Sequence, residues 1–138
     1  MLVIVFNQFI SIAQSAVGKW DTYDEKSGLK ESTMEFYKKG DRLYGKIIKL
    51  HPVKGMDVNK VCTKCTDERK GKRVEGMEVF RDLKWDGSAW VEGKALHPDH
   101  GKEYGLRVWI DPSNPNVLKV RGYLGPFFAT QSCIRSKD

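Results

Sequence analysis

The sequence predicts an all-β protein: an antiparallel up-and-down barrel of about eight strands, with one long Cys-x-x-Cys loop. Three observations carry that expectation. From residue 18 onward, short alternating segments recur between turn signals, and no helical periodicity lasts long enough to compete with them. The connections between these segments are short except for one, so successive strands are expected to meander as antiparallel neighbours. Glycines at 45, 76, 93, 105 and 122 are spread through the segments, where they permit the bends that closing a small barrel requires.

The elements follow in order. Trp20 to Tyr23 opens the series and Ser27-Gly28 turns it. Ser32 to Lys38 alternates with Met34 and Phe36 on one face, and Lys39-Gly40-Asp41 makes a tight hairpin into Leu43 to Leu50, where Leu43, Gly45 and Ile47 share a side. His51-Pro52 breaks that strand. A polar stretch holding Cys62 and Cys65 then runs to about Arg73, a length typical of functional lids or disulfide-pinned excursions. Strand character is expected again from Val74 to Arg81, and from Ala89 to Leu96 after a turn at Asp86-Gly87-Ser88. Beyond the His97 to Gly101 turn, Tyr104, Leu106, Val108 and Ile110 alternate against Gly105, Arg107 and Trp109. Asp111 to Asn116 stops that strand, Val117 to Tyr123 forms the next, and Phe127 to Arg135 the last.

At 138 residues, with 30% charged and 40% apolar side chains, the chain reads as one globular domain able to bury a core without needing disulfides or metal. Residues 2–12 form an apolar run too short and too interrupted to span a bilayer, followed by the small residues Ala13, Ser15 and Ala16. Although no Lys or Arg precedes the run, this is the layout of a secretory signal peptide over 1–15, with cleavage after Ser15 or Ala13 and a mature domain over 16–138. The competing reading is an N-terminal helix or strand packed on the domain. Periplasmic or secreted localisation follows from the signal peptide. The formal charge is +6 and the pI about 9.2, yet the basic residues are scattered among acidic ones. That pattern argues for modest attraction to anions and against specific nucleic-acid binding.

Cys62-Thr63-Lys64-Cys65 could be a redox site, half of a zinc site or a small disulfide. The flanking residues lack the strand-to-helix context that lowers a catalytic thiol's pKa. Zinc would need two further ligands, for which only His51 and Cys133 offer themselves. In an exported chain a loop-pinning Cys62–Cys65 disulfide is the expectation, with Cys133 a buried free thiol.

Gly18-Lys19-Trp20 near the start, answered by Arg135 near the end, resembles the lipocalin-type barrels, and that resemblance implies a buried indole at the closed base covered by a guanidinium, with Gly18, Trp20 and Arg135 as a structural trio. Together with Tyr44-Gly45-Lys46-Ile47, Cys62-x-x-Cys65, Pro98-Asp99-x-Gly101-Lys102-x-Tyr104 and Val120-Arg121-Gly122-Tyr123-x-Gly125, in that order, this pattern resembles a family of small exported bacterial proteins classified as a domain of unknown function, whose fold is similar to the lipocalins. The resemblance covers most of 18–135. It implies a lipocalin-like barrel and an export route, and no agreed activity. The chain departs from the family pattern at His97, where Asp is usual before the proline, and at Cys133, where an aromatic is usual.

No catalytic constellation is assembled in the sequence. There is no nucleophile elbow and no phosphate loop, and a metal held by His97, Asp99 and His100 is outweighed by a solvated turn. Phe36, Ile47, Met77, Leu106 and Val108 are the candidate lining of an interior, against the plainer reading that they are simply core. Arg107 and Arg121, each in mid-strand, are candidate carboxylate anchors, with an outward orientation as the default. The leading functional expectation is a non-enzymatic binding protein for a small apolar or amphipathic ligand such as a fatty acid, needing no cofactor, no metal and no transmembrane segment, with no protein partner specified. The alternative is a structural or interaction protein whose barrel is filled by its own side chains. An enzyme would require Glu35, Glu78 or Glu92 to point inward.

Overall fold

The computed structural model describes residues 16–53 and 55–138; the signal-peptide expectation lies on 1–15, outside the described residues. Eight strands follow one another: β1 Gly18–Tyr23, β2 Lys30–Lys39, β3 Arg42–Leu50, β4 Glu78–Trp85, β5 Trp90–His97, β6 Lys102–Asp111, β7 Asn114–Leu124 and β8 Phe127–Arg135. Each pairs with its sequence neighbours, and β8 returns to β1 to close the barrel. The expected all-β, eight-stranded antiparallel barrel is therefore the fold, and no helix occurs among the described residues.

The strand boundaries differ most from expectation in two places. Residues 74–77 are a turn, and β4 starts at Glu78 and runs on to Trp85. Gly76, at φ +93°, donates its N–H to the Ile47 carbonyl, while Met77 N bonds back to Val74 O at 3.0 Å, so the chain curls before it can extend. The stop between β6 and β7 is also shorter than expected. Asp111 Oδ1 accepts from the Ser113 backbone N at 2.8 Å and its Oγ at 2.7 Å, reversing the chain within two residues and returning Asn114 to 116 to β7.

The meander puts the β1–β2, β3–β4, β5–β6 and β7–β8 connections at one end of the barrel and the other three turns at the opposite end, beside the start of β1 and the end of β8. This second end, the base, is filled. Trp20, Phe36, Leu43, Leu83, Trp90 and Leu118 are each 1% exposed or less. Gly93 makes part of that packing possible, because a Cβ there would stand 2.5 Å from Leu83 Cδ2. Arg135 lies with its guanidinium carbon 4.3 Å from the Trp20 ring centroid, and Trp20 Nε1 donates to Ala16 O at 2.9 Å. Gly18, which opens β1, pairs with Phe36.

The long β3–β4 connection folds over the opposite end. Cys62 and Cys65 are disulfide-bonded, as expected, and Cys133 is a buried free thiol. The connection is latched twice. Arg69, only 6% exposed, donates to Asp67 Oδ2 at 2.6 Å and to the Glu78 carbonyl at 2.8 Å. Against the β5–β6 turn, Lys60 Nζ meets Asp99 Oδ1 at 3.0 Å, and Gly101, at φ +69°, passes so close to the Lys64 carbonyl that a Cβ would stand 2.0 Å from its oxygen.

Candidate functional site

Above the packed base the barrel is hollow. Alternation along the strands, reset within β3 by the bulge where Thr33 pairs with Lys49 and Met34 with Ile47, turns Met34 of β2, Ile47 and Leu50 of β3, Val79 of β4, Leu106 of β6 and Val120 of β7 inward around a cavity of about 630 Å³. That is inside the range of about 300 to 1,000 Å³ usual for small-molecule sites. Towards the open end the walls become polar. Lys26, Glu31, Lys60, His97, Asp99 and Tyr104 ring the mouth. Deeper in, Thr22 Oγ1 and Ser32 Oγ satisfy one another at 2.6 Å, so these buried hydroxyls place no unmet demand on a ligand.

The candidates read from sequence separate here. Ile47 and Leu106 line the cavity. Phe36 and Val108 are fully buried in the filled lower half, where Phe36 stacks on Phe80 at 5.6 Å between centroids and Val108 pairs with Val120 and Trp90. Met77 is buried in the turn before β4. Arg107 and Arg121 point outward, because their strand neighbours Leu106, Val108 and Val120 take the inward phase. The Arg121 guanidinium carbon stands 5.0 Å from the Trp109 ring centroid and 4.5 Å from that of Phe128, and Arg107 is 5.5 Å from the Trp109 centroid. Neither arginine can anchor a head group inside the barrel.

Sequence reasoning missed Leu50, Val79 and Val120 as lining. The alternation that places Leu106 also places Val120, through the β6–β7 register Val108↔Val120, but that register is a tertiary fact. The cavity also reaches Cys133. Burial, with a smaller contribution from the Asp21 carboxylate, pushes its thiol up to about 12, so Cys133 is a neutral apolar wall there.

Glu35, Glu78 and Glu92 take no part in the cavity. Glu35 pairs with Lys46, Glu78 with Lys39 and Arg81, and Glu92 with Lys84. At the mouth His97 and His100 stack at 4.0 Å between centroids, and burial together with the His100 charge lowers the His97 pKa. No group of three His, Cys, Asp or Glu side chains that could hold a metal occurs among the described residues.

The comparisons with known proteins agree with this geometry. A search of curated proteins found no significant match. Among solved structures, the protein HP1028 from the human pathogen Helicobacter pylori, described as belonging to the lipocalin family, superposes with a TM-score of 0.71 at 21% identity, covering 89% of this chain and 84% of that one. That likeness is one of fold. The profile of a bacterial family matches residues 18–135, from the glycine that opens β1 to the arginine that closes β8. The chain belongs to that family, described as "Uncharacterized protein conserved in bacteria (DUF2147)".

Proposed function

We propose that the protein is an exported, non-enzymatic binding protein that takes a small amphipathic molecule, tail inward, through the open end of its barrel. The observation that carries this reading is the hollow upper half, a cavity of about 630 Å³ with aliphatic walls below a charged rim. Each methylene buried there is worth about 0.8 kcal/mol, so about eight contribute roughly 6 kcal/mol towards the entropy of association. With Arg107 and Arg121 outside, the cations placed to meet an anionic head group are Lys26 and Lys60 at the mouth, Lys60 already sharing Asp99. The Cys62–Cys65 disulfide supports an oxidising compartment, the periplasm or the exterior. The lipocalin fold of the H. pylori structure is consistent with the reading, and the assignment rests on the cavity itself.

The test is titration with a fluorescent long-chain fatty acid and with the alcohol of equal chain length. Saturable micromolar uptake of both is expected. Lys26→Met with Lys60→Met should weaken the acid about tenfold more than the alcohol, the usual worth of a hydrogen bond to a charged group. Folded protein that takes up no apolar probe would favour an interaction protein over a carrier.

A further inference from the structure

The side of the barrel formed by β6, β7 and β8, with the hairpin tip above it, carries a feature that the cavity leaves unexplained. At the tip of the β7–β8 hairpin Leu124, Phe127 and Phe128 are 56%, 75% and 60% exposed. From Gly122 to Gln131 the hairpin has no charged residue, in a chain that is 30% charged. Beneath the tip, Tyr123 and Phe128 sit 6.2 Å apart, and Arg121 is held between Phe128 and Trp109. Arg121 is also registered directly opposite Arg107. Like charges at facing positions repel, and among the described residues no carboxylate lies within ion-pair distance of either guanidinium. Among the described residues the only polar partner of Arg121 is Thr130 Oγ1, at 2.7 Å.

We propose that this hairpin docks on an anionic lipid bilayer, with Leu124 and Phe127 in the acyl region and Arg107 and Arg121 on the phosphates. The order of the layers favours a bilayer. Moving down the hairpin, an apolar tip is followed by an aromatic band and then by cations. Arg121 lies three residues below Leu124, about 10 Å along a strand, which matches the depth to which interfacial segments sink. Basic residues near such a surface are drawn to anionic lipid, and the net charge of +6 acts in the same direction. A single-stranded nucleic acid would use the arginines and aromatics but leave the bare Leu124 and Phe127 without a purpose.

The tip also adjoins the cavity. β1 pairs with β8 only at Trp20↔Arg135 and Asp21↔Ile134. Above these pairs the strands part, and three consecutive β8 residues, Ala129, Thr130 and Gln131, border the cavity together with Thr22 and Tyr23 of β1. A strand seen only from its inner face would present alternate residues, so the cavity meets β8 along its edge, through a slit. Docking by the hairpin holds that slit against the lipid, giving an acyl chain a lateral route to the interior. This last step rests on the carrier reading, whereas docking does not.

The experiment is flotation of the full chain with vesicles of phosphatidylglycerol and phosphatidylcholine against vesicles of phosphatidylcholine alone, beside analytical ultracentrifugation without lipid. Binding at least tenfold tighter to the anionic vesicles is expected. Leu124→Ser with Phe127→Ser, both surface positions, should lower it tenfold or more, and Arg107→Gln with Arg121→Gln should remove the preference for anionic lipid. Uptake of a fatty acid from solution by Leu124→Ser with Phe127→Ser should match the parent, while transfer out of vesicles slows. Loss of solution uptake in all proteins would sink the carrier reading and leave docking standing. Absence of vesicle binding overturns the proposal, as does binding indifferent to the two serines. A dimer broken by the serines, without vesicle binding, would assign the tip to a second copy of the chain.

Discussion

The base of the barrel and its open end use the same strands in opposite ways. At the base, inward side chains meet one another: Trp20 and Trp90 are at most 1% exposed, Leu83 lies over Gly93, and Arg135 covers the Trp20 face. At the open end the inward side chains Met34, Ile47, Leu106 and Val120 meet empty space, while the rigidity comes from outside through a loop tied down by Cys62–Cys65, Arg69 and Lys60. A small barrel tolerates an unfilled half because the other half buries Trp20, Phe36, Leu43, Leu83, Trp90 and Leu118 almost completely. Stability is concentrated where the chain ends meet, and the far end is left free to vary in shape.

The strongest way to break this contrast is at Trp20. Trp20→Ala should cost about 3 to 5 kcal/mol, the range for losing a large buried aromatic, measured by urea melts. A loss under about 1 kcal/mol would mean that the base does not carry the fold. A smaller effect sharpens the contrast by adding volume to each half. Gly93→Ala should cost about 1 to 3 kcal/mol, since the new methyl meets Leu83 at 2.5 Å. Ala95→Val, on the cavity wall, should change stability by under about 0.5 kcal/mol while reducing probe uptake. Equal penalties in the two melts would show that the upper half is as tightly packed as the lower.

The most local effect is expected from acid. The Arg69 guanidinium holds the Asp67 carboxyl at about 2, below its usual 3.8. Because the folded value is the depressed one, this contribution is complete above about pH 4 and is lost as the pH falls through 2. Protonation also removes the nearer of the two carboxylates at the buried Arg69, Asp67 at 2.6 Å against Glu103 at 3.9 Å. In two-dimensional NMR the amides of Cys62 and Gly71, which bond across the loop, should lose dispersion in that window before the indole signals of Trp20 and Trp90 do. Base signals that vanish first would reverse the order of stability.

Much of the barrel was legible in the chain because period-two alternation and turn chemistry are local. Met34 and Phe36 against Glu35, Gly40-Asp41 at the hairpin and Asp86-Gly87 at the next turn need no tertiary information to be read. The errors fell where local signals compete with longer-range bonds. Val74 and Met77 look like strand residues, but the Ile47 carbonyl captures the Gly76 N–H and curls the chain. The interior was legible only in part. Leu106 and Val108 share one inward phase, yet one borders space and the other is packed beneath it, because depth along the barrel depends on what the facing strands bring to that level.

By itself the sequence determined the fold class and the meander, since these follow from residue pattern and spacing, while the Cys62–Cys65 disulfide and the buried free Cys133 were legible only through the further expectation of export. Only the tertiary structure decided that Arg107 and Arg121 face outward onto aromatics, that the lower half is full and the upper half hollow, and that β8 leaves β1 above Asp21 to open a slit. Facing, depth and closure depend on register between strands far apart in the chain. One step of register exchanges the two faces of a strand.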